Sequence, residues 1–236
     1  WIAWSVLSSS WVIRHIAFQR PAPKKGAAIV LTIRLPGNAV ANYLNEYVFD
    51  PTSMEALQFN AGVEWIFGPL YVGAVVYAAS RLLQQEEVLY GEAMGVGLRN
   101  WFILWLAWLG AGLLIGVGLL LLVVPGIVLA VRYALIDSVV ILDGPGPPVA
   151  WKRSSALTKG RRWPILGASV VFLIGFGLLW WLVEALVEEL VLAGVIGLMG
   201  KVVMHTVWDC VLDVLLSGVA IVMLLFYLEA SARKDG

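Results

Sequence analysis

Residues 101–124 read WFILWLAWLGAGLLIGVGLLLLVV, a run of 24 residues without a charged side chain. A helix that crosses a hydrocarbon core of about 30 Å needs about 20 mostly apolar residues. A buried helix of a soluble protein seldom runs that long without a polar side. This stretch therefore predicts a transmembrane helix, and with it an integral membrane protein.

The composition of the whole chain agrees with a lipid environment. Of its 236 residues, 61% are hydrophobic and 14% are charged, and the mean hydropathy is +0.87. Acidic and basic residues balance at 16 each, so the chain has no net charge to attract nucleic acid. The single cysteine, Cys210, excludes an intrachain disulfide and a cysteine-based zinc cluster, and we expect it to be a small buried residue.

The same hydropathy argument predicts an all-α membrane domain of six transmembrane helices. The predicted spans cover residues 27–49, 59–80, 101–124, 125–142, 163–183 and 202–228. The first is the least apolar, since it carries Arg34, Pro36 and three asparagines. The third and fourth meet at Pro125 and Gly126, which predict a tight helical hairpin, with one kinked helix as the alternative.

Two further segments flank the spans. Residues 1–20 mix tryptophans with serines and basic residues, which is typical of a helix lying in the membrane interface. Residues 147–159 begin with prolines and are followed by Gly160, which predicts a second short helix. In such a helix, Trp151 and Leu157 would dip toward lipid. The alternative is that residues 147–159 form a solvated basic loop.

The basic residues between the spans fall on one side of the predicted membrane. If the N-terminus is inside, the cytoplasmic segments hold Arg14, Arg20, Lys24, Lys25, Arg81, Arg99, Lys152, Arg153, Lys159, Arg161, Arg162, Arg233 and Lys234, and the opposite side has only Lys201. This asymmetry predicts that both termini are cytoplasmic. We expect Lys152, Arg153, Lys159, Arg161 and Arg162 to meet lipid phosphate headgroups.

Charged residues within the predicted spans are costly and must be paired or functional. At about 1.5 Å of rise per residue, Arg132 and Asp209 lie at similar depths near the outer boundary, and Arg34 and Asp137 at similar depths nearer the inner one. We therefore expect at least one of these two ion pairs. The favoured interpretation is that such pairs lock the order of the helices, and a proton or ion pathway is the alternative.

A second polar pattern lies in the sixth span, where His205, Asp209 and Asp213 are spaced four residues apart along one helical face. Such a face suits a metal, a proton relay or an arginine from a neighbouring helix. His205 is also a candidate ligand for haem or a pigment, although a packing role is more common. Because His15 is the only other histidine, we expect no multi-histidine metal site and no cofactor.

Glycines in the third span, Gly112 and Gly116, have the GxxxG spacing that allows close helix packing in lipid. The contact they predict is either internal or with another subunit.

Residues 118–166 resemble a widespread bacterial six-helix membrane family that includes the membrane domain fused to some glycerophosphodiester phosphodiesterases. The resemblance rests on Pro125–Gly126 followed by Arg132, on Asp143–Gly144, and on the Ala-x-x-x-Ser run that ends in Leu-Thr-Lys-Gly at residues 150–160. It implies a six-helix fold in a bacterial cytoplasmic membrane. The metal-binding carboxylates of the fused enzyme have no counterpart here, so its activity does not carry over.

These patterns predict a non-enzymatic membrane scaffold or accessory subunit that organises lipid or partner membrane proteins. The alternative is a small transporter or channel that uses Arg132, Asp209 and Asp213. A transporter would need a hydrated cavity that reaches the aspartates, whereas a scaffold would keep them dry and paired.

Overall fold

The computed structural model describes residues 22–49 and 53–233. They form eight α-helices: α1 (Ala22–Tyr47), α2 (Met54–Leu83), α3 (Tyr90–Leu121), α4 (Val123–Tyr133), α5 (Ile136–Asp143), α6 (Pro147–Leu157), α7 (Arg162–Leu192) and α8 (Leu198–Ala232). No strand occurs within these ranges. The interfacial helix predicted over residues 1–20 lies outside them.

Within the described ranges, five segments are long and apolar enough to cross a membrane, namely α2, α3, the pair α4–α5, α7 and α8. The described part of the chain is therefore all-helical, with five candidate spans. The first predicted span, residues 27–49, does form most of α1, but the polar residues of α1 leave it outside that set. The predicted count of six spans is thus not confirmed.

The predicted hairpin between the third and fourth spans is present, but its turn lies earlier in the chain. Leu122 alone has extended backbone between α3 and α4. Pro125 falls in the first turn of α4, where its missing N–H is not needed. Gly126 lies at the crossing of the two helices, because a Cβ on Gly118 would be 3.0 Å from the Gly126 Cα.

The glycines that allow close helix approach are therefore not the predicted ones. A Cβ on Gly116 would meet nothing within 4 Å, and one on Gly112 would make only an ordinary contact with Trp65 at 3.8 Å. By contrast, a Cβ on Gly97 would lie 2.6 Å from the Leu70 carbonyl oxygen. Gly112 and Gly116 do not mediate close packing within the described chain, because that part of α3 faces outward.

The core is built around α2, whose side chains between Tyr71 and Val76 are buried without interruption. This helix packs against α3, α1, α8 and α5. In contrast, α7 packs only on α8 and α4 among its main neighbours. Only 6% of the most apolar window of α7 is buried, against 56% for α2. Because α7 exposes apolar side chains along most of its length, its surroundings must be apolar.

The helix order separates the charged loops into two ends. At the basic end, Arg161 pairs with Glu229, and the Tyr227 hydroxyl donates to Asp143 at 2.7 Å. At the acidic end, Lys201 lies 3.0 Å from Glu188. Along α7, 26 residues separate Arg162 from Glu188, which corresponds to about 39 Å of helix. The two ends are therefore about one membrane thickness apart, as the charge pattern predicts.

Candidate functional site

A polar ladder runs along the antiparallel contact between α1 and α8. It consists of Arg34, Asn38, Asn42 and Glu46 on α1, which face Asp213, Asp209, Thr206 and Lys201 on α8. The α1 residues recur every four positions, so they share one helical face. This periodicity explains how a polar helix can pack into an apolar bundle, because its polar side chains face partners instead of lipid.

The strongest part of the ladder is the ion pair between Arg34 and Asp213. The Arg34 Nε and Nη2 atoms donate to the two Asp213 carboxylate oxygens at 2.9 and 3.0 Å. Asn38 Nδ2 donates a third hydrogen bond to Asp213 at 2.7 Å. Glu64 of α2 lies 2.6 Å from Arg34 Nη1, and the guanidinium lies over the Tyr71 ring at 5.5 Å. Asp213 is 4% exposed, so this pair is buried, and both Asp213 carboxylate oxygens accept hydrogen bonds.

The predicted partner of Arg34 was therefore wrong. Depth along a helix suggested Asp137, but α1 packs on α8 and α2, so Arg34 meets Asp213 and Glu64 instead. Asp137 accepts a hydrogen bond from Trp108 Nε1 at 2.7 Å. A similar depth does not make two helices neighbours, and the neighbour decides the pair.

The second predicted pair, Arg132 with Asp209, is also wrong. Asp209 accepts a hydrogen bond from Asn42 at 2.7 Å. Arg132 Nε donates to the Ser155 hydroxyl of α6 at 3.0 Å, and the Ser154 hydroxyl donates to the Arg132 carbonyl at 2.8 Å. The reason is that α6 folds back onto α3, α4 and α5, which places two serines beside Arg132.

The predicted face of His205, Asp209 and Asp213 does not point to one site. His205 Nδ1 lies 3.5 Å from Glu184 of α7, whereas the two aspartates face α1. His205 Nε2 is buried and has no hydrogen-bond partner among the described residues. Within those same residues, no group of three or more His, Cys, Asp or Glu side chains could hold a metal ion. Cys210 is buried, as expected.

An open cleft of about 650 Å³ lies at the basic end, where α4, α6 and the start of α7 meet. Its lining includes four cations, namely Arg132 of α4, Lys152 of α6, Lys159 in the turn after α6, and Arg162 at the start of α7. None of the four has a carboxylate partner within 4.0 Å in the part of the chain that the structure describes. The cleft therefore concentrates positive charge without internal neutralisation.

The five predicted headgroup contacts divide into two groups. Lys152, Lys159 and Arg162 line the cleft. Arg153 forms an ion pair with Asp143, with Nε 2.6 Å from Oδ2, and Arg161 forms an ion pair with Glu229. The sequence pattern could not separate the two groups, because all five residues are close in the chain and the acceptors come from α5 and α8.

Residues from outside the basic segment shape the cleft, and the hydropathy pattern did not reveal them. Arg132 lies in an apolar stretch. The chain turns after Tyr133, where α4 ends, but no proline or glycine at that position predicts the end of the helix. Trp151 does not dip toward lipid. Its Nε1 atom donates to the Ala107 carbonyl at 3.1 Å, and its ring occupies the space that a side chain at Gly110 would need. Leu157 is likewise buried.

The floor of the cleft is anchored by α6, which forms as its sequence predicts. Pro147 and Pro148 begin the helix, and Gly160 adopts a φ of +88° just after it. The Arg162 Nε atom nearby is buried and lacks a hydrogen-bond partner within the described ranges. The Arg162 guanidinium lies beside three further cations of the cleft, and guanidinium groups are chemically suited to anions.

Comparisons of this chain with protein-family models, with curated proteins and with solved structures found no match.

Proposed function

We propose that this protein is a non-enzymatic membrane scaffold or accessory subunit that holds anionic lipid at its basic end and thereby organises lipid or partner membrane proteins. One observation carries the proposal: four cations line a cleft and no described carboxylate neutralises them. Unneutralised cations beside an apolar helix bundle attract anionic lipid headgroups. Arg153 and Arg161 are excluded from this role, because each already has a carboxylate.

The ladder supports the scaffold over the alternative of a transporter that uses Arg132, Asp209 and Asp213. Asp213 already accepts three hydrogen bonds from Arg34 and Asn38. Tyr227 of α8 lies at the basic end, and Asp209 lies 18 residues away from it, about 27 Å along the helix. Arg132 and the aspartates are thus parts of different regions, which disfavours a common pathway.

The proposed location is a bacterial cytoplasmic membrane with both chain ends on the cytoplasmic side. The positive-inside rule supports this orientation, because the cleft and most basic loops share one end. In that orientation the cleft meets the headgroups of the cytoplasmic leaflet, which is rich in anionic lipid. The resemblance to the six-helix family supports the same location, and the proposal includes no cofactor.

Lipid retention tests the proposal. The protein would be purified in mild detergent, exposed to equal amounts of phosphatidylglycerol and phosphatidylcholine, and examined by native mass spectrometry. We expect phosphatidylglycerol to be retained preferentially, and the preference to fall in the double variant Lys152→Gln, Lys159→Gln. The control is Arg153→Gln, which removes a positive charge from the same helix but not from the cleft. Equal retention of both lipids by the unmodified protein would contradict the proposal.

A further inference from the structure

The number and arrangement of the cleft cations indicate which class of anionic headgroup the cleft binds. Resting on the proposed function, we infer that the cleft binds a lipid whose headgroup carries two or more negative charges on phosphate, in preference to a lipid with a single phosphodiester charge. Headgroups of this class are a phosphomonoester or a pair of phosphodiesters.

Charge favours a headgroup with more than one negative charge. Arg132, Lys152 and Arg162 reach the cleft from three helices and Lys159 from the turn after α6, and none of the four has a carboxylate partner among the described residues. A single phosphodiester neutralises one of these four cations. A headgroup with a second negative charge can pair with a further cation of the cleft, so its attraction to the cleft is stronger.

Hydrogen bonding and size favour the same headgroups. Arg132 Nε donates to Ser155, which leaves the terminal guanidinium nitrogens of Arg132 without a partner among the described residues, and Arg162 also lines the cleft. Guanidinium groups bind phosphate oxygens through paired donors, so two arginines suit an anion with several free oxygens. A volume of about 650 Å³ is within the range of sites for whole ligands, about 300 to 1,000 Å³.

Exposed apolar surface beside the cleft favours a lipid over a free anion as the source of the phosphate. The cleft opens where α4 and α7 meet, and both helices expose apolar side chains beyond it. On α4 these include Val124 and Val128, and on α7 they include Val171 and Ile174. A headgroup in the cleft can therefore leave its acyl chains on apolar surface, whereas soluble phosphate gains nothing from that surface.

The experiment compares ligands by charge and by source. Delipidated protein in detergent would be titrated with phosphatidic acid, cardiolipin, phosphatidylglycerol and phosphatidylcholine, and separately with pyrophosphate, while bound ligand and the thermal midpoint are measured. We expect phosphatidic acid and cardiolipin to bind at least about tenfold more tightly than phosphatidylglycerol, and pyrophosphate to bind more weakly than either.

Variants test whether the cleft cations cause the preference for cardiolipin. Arg162→Gln should reduce the affinity for cardiolipin about fivefold, as expected for one cation at a membrane surface. The double variant Lys152→Gln, Lys159→Gln changes two exposed side chains and keeps the inference testable if Arg162→Gln folds poorly. Arg153→Gln is the control for a general loss of charge and should retain the preference for cardiolipin.

Three other outcomes would contradict the inference about headgroup charge, the proposed function, or the lipid as the source of the phosphate. If phosphatidylglycerol, phosphatidic acid and cardiolipin bind equally, the inference about headgroup charge is wrong while the proposed function stands. If phosphatidylcholine binds as tightly as all three, both are wrong. If pyrophosphate binds as tightly as cardiolipin, the cleft is a site for free anions and the lipid source is wrong.

Discussion

The polar ladder between α1 and α8 and the basic cleft beside α6 both gather charged side chains, but they differ in how those charges are neutralised. In the ladder, Arg34 is held by Asp213 and Glu64 from two other helices. In the cleft, Lys152 and Arg162 have no carboxylate partner among the described residues. Charges that neutralise one another hold helices together, whereas charges without a counter-ion are available to a ligand.

This difference predicts that the two regions respond oppositely to mutation. Changes in the ladder should alter stability, and changes in the cleft should alter lipid binding. The largest effects are expected in the ladder, where the charges are buried and paired.

The largest loss of stability should follow Asp213→Ala. The substitution leaves the buried Arg34 guanidinium without its bidentate partner, and breaking a buried ion pair costs about 3–5 kcal/mol. Unfolding in mild detergent would measure the change. The control is Glu87→Ala, since Glu87 is exposed between α2 and α3. An Asp213→Ala protein that unfolds like the control would mean that the ladder does not hold α1 in place.

A smaller loss of stability should follow Gly97→Ala, which tests helix packing without changing a charge. The new Cβ would lie 2.6 Å from the Leu70 carbonyl oxygen, and such overpacking costs about 1–3 kcal/mol. Gly116→Ala on the same helix is the matched control, because a Cβ there meets open space. Equal stability of the two variants would show that α2 and α3 approach less closely than described.

The cleft should show the opposite behaviour. In detergent without lipid, the double variant Lys152→Gln, Lys159→Gln should unfold within about 0.5 kcal/mol of the unmodified protein, since both side chains are exposed. Bound lipid stabilises the folded state. Phosphatidylglycerol should therefore raise the thermal midpoint of the unmodified protein more than it raises the midpoint of the double variant. The difference in lipid binding should be about 1 kcal/mol for each charge. A large loss of stability without lipid would assign these lysines to the fold.

The smallest effect should follow Asn42→Ala. This change removes the hydrogen bond to Asp209 between α1 and α8, and a single such bond within a membrane contributes about 0.6 kcal/mol. Thr32→Ala is the control on the same helix, because the exposed Thr32 hydroxyl donates to the Ala28 carbonyl of α1 itself and makes no hydrogen bond to another described helix. If both variants unfold alike, the outer half of the ladder contributes little to helix order.

Most of the helices could be predicted from the sequence because hydropathy and helix-ending residues are local properties. The hairpin near Pro125 and the short helix that precedes Gly160 followed directly from them, although the turn itself is at Leu122. The candidate site was predicted only in part. Lys152, Lys159 and Arg162 were among the expected headgroup contacts, but Arg132 joined them only through the fold of α6.

The sequence by itself determined that the chain is an all-helical membrane protein with a basic and an acidic end, since apolar length and charge distribution are read along the chain. Only the tertiary structure decided that Arg34 binds Asp213 and Glu64, and that Arg153 is neutralised while Lys152 is not. The physical reason is that helical periodicity defines the face and depth of a residue. It does not define which helix packs against that face, and ion pairs act only over the few ångströms between neighbours.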